Sequence, residues 1–361
     1  MMKKLNLIRW AILSLTITLI LNSCEDDDNS YPTGVYTDGV FIVNEGNFSS
    51  GGSVSFYSYA GDTVSNNIFE LVNDRPLGTF VQSLTNFNNK TFIVVNGSNK
   101  VEVVEQHNFN EVATIIGLDL PRYFIPINSD KGYITQWGNG GEIIIVDLNN
   151  YEISDTIEVG TGPEKMYSFY NNIYVANGGG LSVDSTIFVI NTYYDKVVDT
   201  IEVGHNPKDM VIDTEGTLWV LCYGYVKYDE NLNVVFESPS ELYKINTNDH
   251  SLINKYTISD YLHPEHLEIS PDGQTIYYGG GFSFGNIYKM NINDNNLPVN
   301  PFNDKYFYGF NVDWTDGTLF ALEAPDFTSN GILYRINPDG TILGNYEVGI
   351  GPNSMGMKKN K

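Results

Sequence analysis

The chain has 361 residues, with 20 Lys and Arg against 44 Asp and Glu and a formal net charge of −24. So acidic a body repels phosphate backbones and argues against nucleic acid as a partner. Two Cys cannot make a disulfide framework, while 25 Tyr, 19 Phe and 34 Gly suit strands and tight turns.

Residues 1–23 read as a signal peptide. Lys3, Lys4 and Arg9 form the charged head, Leu5 to Leu21 is mostly apolar, and Leu21-Asn22-Ser23-Cys24 follows. This end resembles a bacterial lipobox, in which Cys24 becomes the lipidated first residue. Residues 24–34 carry the acidic run Glu25-Asp26-Asp27-Asp28 and read as a flexible tether. The run resembles the export signal of surface-displayed lipoproteins, which implies an outer-membrane anchor facing outward, with the periplasmic face as the alternative. With Cys24 lipidated, Cys222 is alone; it lies in the apolar run Leu218-Trp-Val-Leu-Cys222 and reads as a core residue.

From residue 35 to 361 the chain repeats itself. Asp155-Thr-Ile-Glu-Val-Gly160 returns 44 residues later as Asp199-Thr-Ile-Glu-Val-Gly204. Each copy runs on to a proline and a methionine: Gly162-Pro-Glu-Lys-Met166 and Asn206-Pro-Lys-Asp-Met210. A third copy, Glu347-Val-Gly349 then Gly351-Pro-Asn-Ser-Met355, lies near the C-terminus. A strand-built period of this length predicts an all-β fold, a β-propeller whose blades are four-stranded meanders, a to d from channel to rim. Seven b strands stand out: Val40–Val43, Thr91–Val95, Gly132–Thr135, Ile173–Ala176, Thr217–Leu221, Thr275–Tyr278 and Thr318–Leu322. Asn-Asn, Asp-Gly and Glu-Gly turns precede many of them. The c strands follow, among them Gly285–Lys289 in the sixth blade. The first blade lacks an a strand, and Ser354–Met357 supplies one, closing the ring without a free edge. An insertion, Tyr225 to Pro239, interrupts the fifth blade, and the sixth ends in the Asn/Asp/Pro-rich stretch 291–304 with no clear d strand.

In such a meander the b–c and d–a loops share one face. The b–c loops are rich and variable, which marks that face for ligand work. Candidate contacts there are Asn44, Glu45, Asn47, Asn96, Asn99, Gln136, Trp137, Asn177, Tyr223, Tyr225, Phe282, Phe284 and Glu323. Arg122, Lys165 and Lys208, read on the d–a loops, suit a phosphate or carboxylate. Asn after a strand is also ordinary turn chemistry, and Trp137 and Tyr223 would serve equally as channel packing. His263-Pro-Glu-His266 lacks the spacing of a helical zinc motif, and no calcium loop, nucleophile elbow or Walker loop is present. No cofactor and no catalytic residue is expected.

The b-strand, Asn-Gly, c-strand, Val-Gly-x-x-Pro pattern resembles the YncE-like seven-bladed propellers, related to surface-layer and lactonase-type propellers. Gly39-Val-Phe-Ile-Val-Asn-Glu-Gly-Asn47, Val95-Asn-Gly-Ser-Asn-Lys-Val-Glu-Val103 and the lipobox resemble the lipoprotein branch that includes BtuG-type surface cobalamin-binding proteins. That resemblance implies a non-catalytic protein that captures a small polar ligand, a corrinoid among the candidates, and passes it to a TonB-dependent transporter. A lactonase-like hydrolase would instead need a metal held by Asn44, Glu45, Asn96, Asn177 and Glu323. A scaffold for protein or polysaccharide is the third alternative.

Overall fold

Apolar alternation bounded by Gly and Asx turns yields seven small antiparallel sheets arranged as the seven blades of a propeller. The structure is a computed structural model in which residues 35–357 are described; the expected leader, Cys24 and tether lie outside the described residues. A single unit spans the propeller from Tyr36.

All seven b strands form, and their channel-side partners begin at Val81, Pro121, Pro163, Pro207, His266, Gly309 and Pro352. The last of these, Pro352–Gly356, pairs antiparallel with Gly39–Asn44, so the C-terminal segment completes the first blade as expected. Polar side chains tie neighbouring inner strands together. Ser83 and Thr85 donate to the Arg122 and Phe124 carbonyls, and the Met355 N–H donates to Asn311 Oδ1. Apolar clusters fill the spaces between blades; Phe92 stacks on Phe124 with centroids 4.1 Å apart. Cys222 is fully buried, and burial pushes its thiol pKa up.

Two departures sharpen the expectations. Tyr225 to Pro239 is not a plain loop: Tyr225–Tyr228 and Val234–Ser238 pair as a hairpin, because β-forming side chains, Tyr225, Val226 and Tyr228 before and Val234-Val-Phe236 after, flank an Asp229-anchored turn. The sixth blade is three-stranded, and its third strand is Ile287–Asn291, two residues later than expected. The glycine-rich turn 279–285, with four glycines at positive φ, consumes the extra length.

The start of each inner strand positions the site. Phe80, Leu120, Gly162, Asn206 and Gly351 all adopt positive φ, each directly before an inner strand. Proline then opens four of these strands, where a missing N–H costs nothing to the ladder. A register shift follows at once, so Arg122 and Tyr123 stand opposite Thr135, and Glu164 and Lys165 opposite Ala176. A bulge of this kind re-aims the doubled residues. Arg122, Lys165 and Lys208 therefore belong to the inner strands, a correction to their expected place on the d–a loops.

Candidate functional site

One cavity of about 230 Å3 occupies the channel mouth, on the face carrying the b–c loops. Every blade contributes to it. Glu45, Asn353 and Ser354 come from the first, Phe80, Gln82 and Asn96 from the second, Arg122 and Tyr123 from the third. Lys165 comes from the fourth, Lys208 from the fifth, Glu265 and His266 from the sixth, and Tyr308 from the seventh.

Its floor is a chain of ion pairs running between blades. Arg122 grips buried Glu164 with Nε at 3.0 Å and a second nitrogen at 3.2 Å, and Lys208 reaches the same carboxylate at 3.1 Å. Lys165 Nζ lies 2.5 Å from buried Asp209, which also accepts the Leu267 backbone N–H. Burial works against charge on Glu164, but Arg122 and Lys208 outweigh it and hold the carboxyl below its usual range. The lysines likewise lose solvation, yet Asp209 raises Lys165 and Glu164 raises Lys208 above the ordinary ammonium value. Trp137 backs this half, with the Arg122 guanidinium 4.3 Å from its ring centroid.

The other half is acidic and aromatic. Glu45 accepts from Asn353 Nδ2 at 2.7 Å and from the Tyr308 hydroxyl at 3.1 Å. Burial pushes its pKa up, with those two bonds opposing. Glu265 accepts the Phe282 N–H at 3.2 Å. Between the halves stands His266, whose pKa is driven down to about 3 by burial and by the charges of Lys165 and Lys208, so it is neutral at physiological pH. An aromatic rim surrounds the opening: Phe48 packs on Phe80, and Phe327 sits edge-on to Tyr308 with Phe282 beyond it.

The structure gathers Glu45, Asn96, Arg122, Lys165 and Lys208 from the expected set into the cavity wall, with Trp137 stacked behind. Tyr223 stacks on His263 at 4.8 Å and Phe282 belongs to the rim. Asn44, Gln136 and Asn177 lie elsewhere: fully or nearly buried, they close the b–c strand ends by bonding Ser53 and Ser55, Glu142, and Thr186. Asn47 holds its own loop to the Phe327 carbonyl, and Asn99 accepts the Leu120 N–H. Tyr225 packs on His205 and Phe236, Phe284 on Tyr278 and Tyr288, and Glu323 accepts from the Tyr334 hydroxyl at 2.7 Å. The sequence reading did not reach Gln82, Tyr123, Glu164, Asp209, Glu265, Tyr308 or Asn353. Aligning the residues that follow each repeated proline would have found Tyr123, Glu164, Asp209 and Asn353. Among the described residues, no group of three or more His, Cys, Asp or Glu is placed to hold a metal ion.

A family model, a domain of unknown function (DUF5074), matches residues 38–318. The chain belongs to the DUF5074 family. No curated protein matches it in sequence. Solved structures share the fold. A quinoprotein alcohol dehydrogenase-like protein from Bacteroides thetaiotaomicron aligns at TM-score 0.65 and 15% identity, over 89% of this chain and 78% of that one. The periplasmic gluconolactonase of Pseudomonas aeruginosa aligns at 0.63 and 10%, over 88% and 98%. The hydrazine synthase of Kuenenia stuttgartiensis aligns at 0.56 and 16%, over 78% and 92%. At such identities the likeness is one of fold, that of a seven-bladed propeller with neighbours of the lactonase and quinoprotein type.

Proposed function

We propose that this protein is a non-catalytic capture protein, tethered through a lipid on Cys24 at the outer membrane, that binds a small polar ligand in its channel-mouth cavity and releases it to a TonB-dependent transporter. The observation that carries this reading is the convergence of one polar, half-buried constellation from all seven blades on a single cavity. Such preorganised groups bind without a large ordering cost.

Capture is favoured over hydrolysis by the same geometry. A metal held by Asn44, Glu45, Asn96, Asn177 and Glu323 requires those side chains to meet. Asn44 and Asn177 are fully buried in strand-end hydrogen bonds, and Glu323 is engaged by Tyr334. Size bears on the ligand. A corrin macrocycle is too broad for about 230 Å3, so a corrinoid would lie across the aromatic rim with one polar group inserted.

Calorimetry on the purified protein tests this, with a panel of small polar solutes and cyanocobalamin as a separate arm. Saturable heat for one member at micromolar concentration supports capture, and a ligand at a hundred times its Kd would add about 2.7 kcal/mol of stability in a thermal melt. Silence across the whole panel in both measurements overturns it. Co-purification of a transporter from solubilised membranes tests delivery separately.

A further inference from the structure

The charges around the cavity are sorted by blade. Three consecutive blades, the third to the fifth, bring Arg122, Lys165 and Lys208. The sixth and first bring Glu265 and Glu45, with Tyr308 of the seventh between them. Gln82 and Asn96 of the second blade are neutral and separate Glu45 from Arg122 around the ring. Glu265 lies close enough to Glu45 to raise its proton affinity, while Arg122 acts across the cavity on Glu45, and Glu265 acts on Lys208.

Both halves keep bonding capacity. An ammonium has three N–H donors, and Lys165 and Lys208 each spend one on a single carboxylate. Glu265 accepts through Oε1 from Phe282, which leaves Oε2. Glu45 holds Asn353 and Tyr308 with one oxygen each, and a carboxylate offers about four lone-pair sites. A plain anion drawn to the lysines meets repulsion from Glu45 and Glu265. A plain amine drawn to the acids leaves the spare donors of Lys165 and Lys208 unmet. Only a molecule carrying both charges satisfies each half, and the Tyr308 ring, beside the acids, offers an ammonium a further favourable face.

Resting on the capture reading, we propose that the cavity takes a small zwitterion of the amino-acid or short-peptide class, its carboxylate toward Lys165 and Lys208 and its ammonium toward Glu45 and Glu265. The aromatic rim of Phe80, Phe282 and Phe327 then receives an apolar side chain of the same ligand.

The test is calorimetry on the full chain in detergent with the dipeptide Ala-Phe, its N-acetyl form and its C-terminal amide. The free dipeptide is expected to bind, and each cap to weaken binding by about tenfold or more, since each removes a charge-assisted bond and strands a half-buried partner. Glu265→Gln is expected to shrink the penalty of N-acetylation while leaving that of amidation, a split that general loosening of the fold would not produce. Its melting temperature, compared with that of the parent, reports folding. An N-acetyl peptide that binds as tightly as the free one overturns the proposal. So does tighter binding of inorganic phosphate or cyanocobalamin than of the dipeptide; either result leaves the capture reading standing with a different ligand. Silence from the peptides removes the proposal, and only silence across the whole solute panel removes the capture reading with it.

Discussion

The fourth and fifth blades are entered through nearly the same words and place opposite charges at equivalent positions. Asp155-Thr-Ile-Glu-Val-Gly160 and its copy at 199–204 close the outer strands of the third and fourth blades, and Pro163 and Pro207 then open the inner strands of the fourth and fifth. Yet the two residues after the proline are Glu164-Lys165 in one blade and Lys208-Asp209 in the other. The inversion lets them pair crosswise, Lys165 with Asp209 and Lys208 with Glu164. A repeat thus supplies equivalent positions through its backbone, while the doubled residues after the proline are left to vary. The scaffold is conserved between blades where strands must close, and the chemistry differs where the bulge turns side chains inward.

This comparison presumes a closed ring, so the largest effect comes from opening it. Deleting residues 353–361 removes nearly all of the inner strand of the first blade, buried Asn353 and Met355 included, and uncovers Gly39–Asn44. Loss of the cooperative thermal transition is expected. A truncated chain that melts like the parent would mean the closing strand is dispensable.

Next in size is the crossed pairing itself. Glu164→Ala leaves Arg122 and Lys208 without their shared carboxylate in a buried place and is expected to cost about 3–5 kcal/mol in urea unfolding. Asp209→Ala strands a single cation, Lys165, together with the Leu267 N–H, and should cost less. A double-mutant cycle of Glu164 and Lys208 is expected to show about 1–3 kcal/mol of coupling. Additive losses would mean the crossed charges merely coexist. The sign with pH follows from Glu164's lowered pKa. Its contribution is present above the ordinary value of 4.5 and disappears as pH falls through the lower folded value.

Much of this architecture is legible in the sequence, and the limit is physical. Strand b is readable because it is buried on both faces, so residues 218–222 or 92–95 appear as an unbroken apolar run. The closing strand and the missing outer strand of the sixth blade follow from counting repeats. The cavity is less legible. Asn44 and Asn177 look identical to ligand-binding asparagines in a loop, and only three-dimensional register reveals that they bond across to the neighbouring c strand. Glu265 and Tyr308 stand outside any repeated phrase, and the distance between blades that brings them to Glu45 has no trace in local pattern.

His266 offers a middle-sized test, and its sign runs the same way for a different reason. Its folded pKa lies near 3, against an ordinary 6.5, so between those values the unfolded chain holds the extra proton. Stability is therefore expected to fall by up to about 1.4 kcal/mol per pH unit as pH drops below 6.5. Urea unfolding of parent and His266→Gln at pH 7.5, 6.5 and 5.5 checks it. The variant should lose that slope, and parallel curves would mean His266 titrates normally.

The smallest effect separates rim from floor. Phe282 is 70% exposed and its ring touches Phe327 only loosely, at 6.1 Å between centroids. Phe282→Ala is expected to change unfolding stability by no more than about 0.5 kcal/mol, as an exposed side chain outside the core should. Whatever it does to ligand affinity then reflects contact with the ligand and not a loosened blade. A loss of stability approaching that of Glu164→Ala would show instead that the rim is structural, and that the aromatic side chains hold the mouth loops together before any ligand arrives.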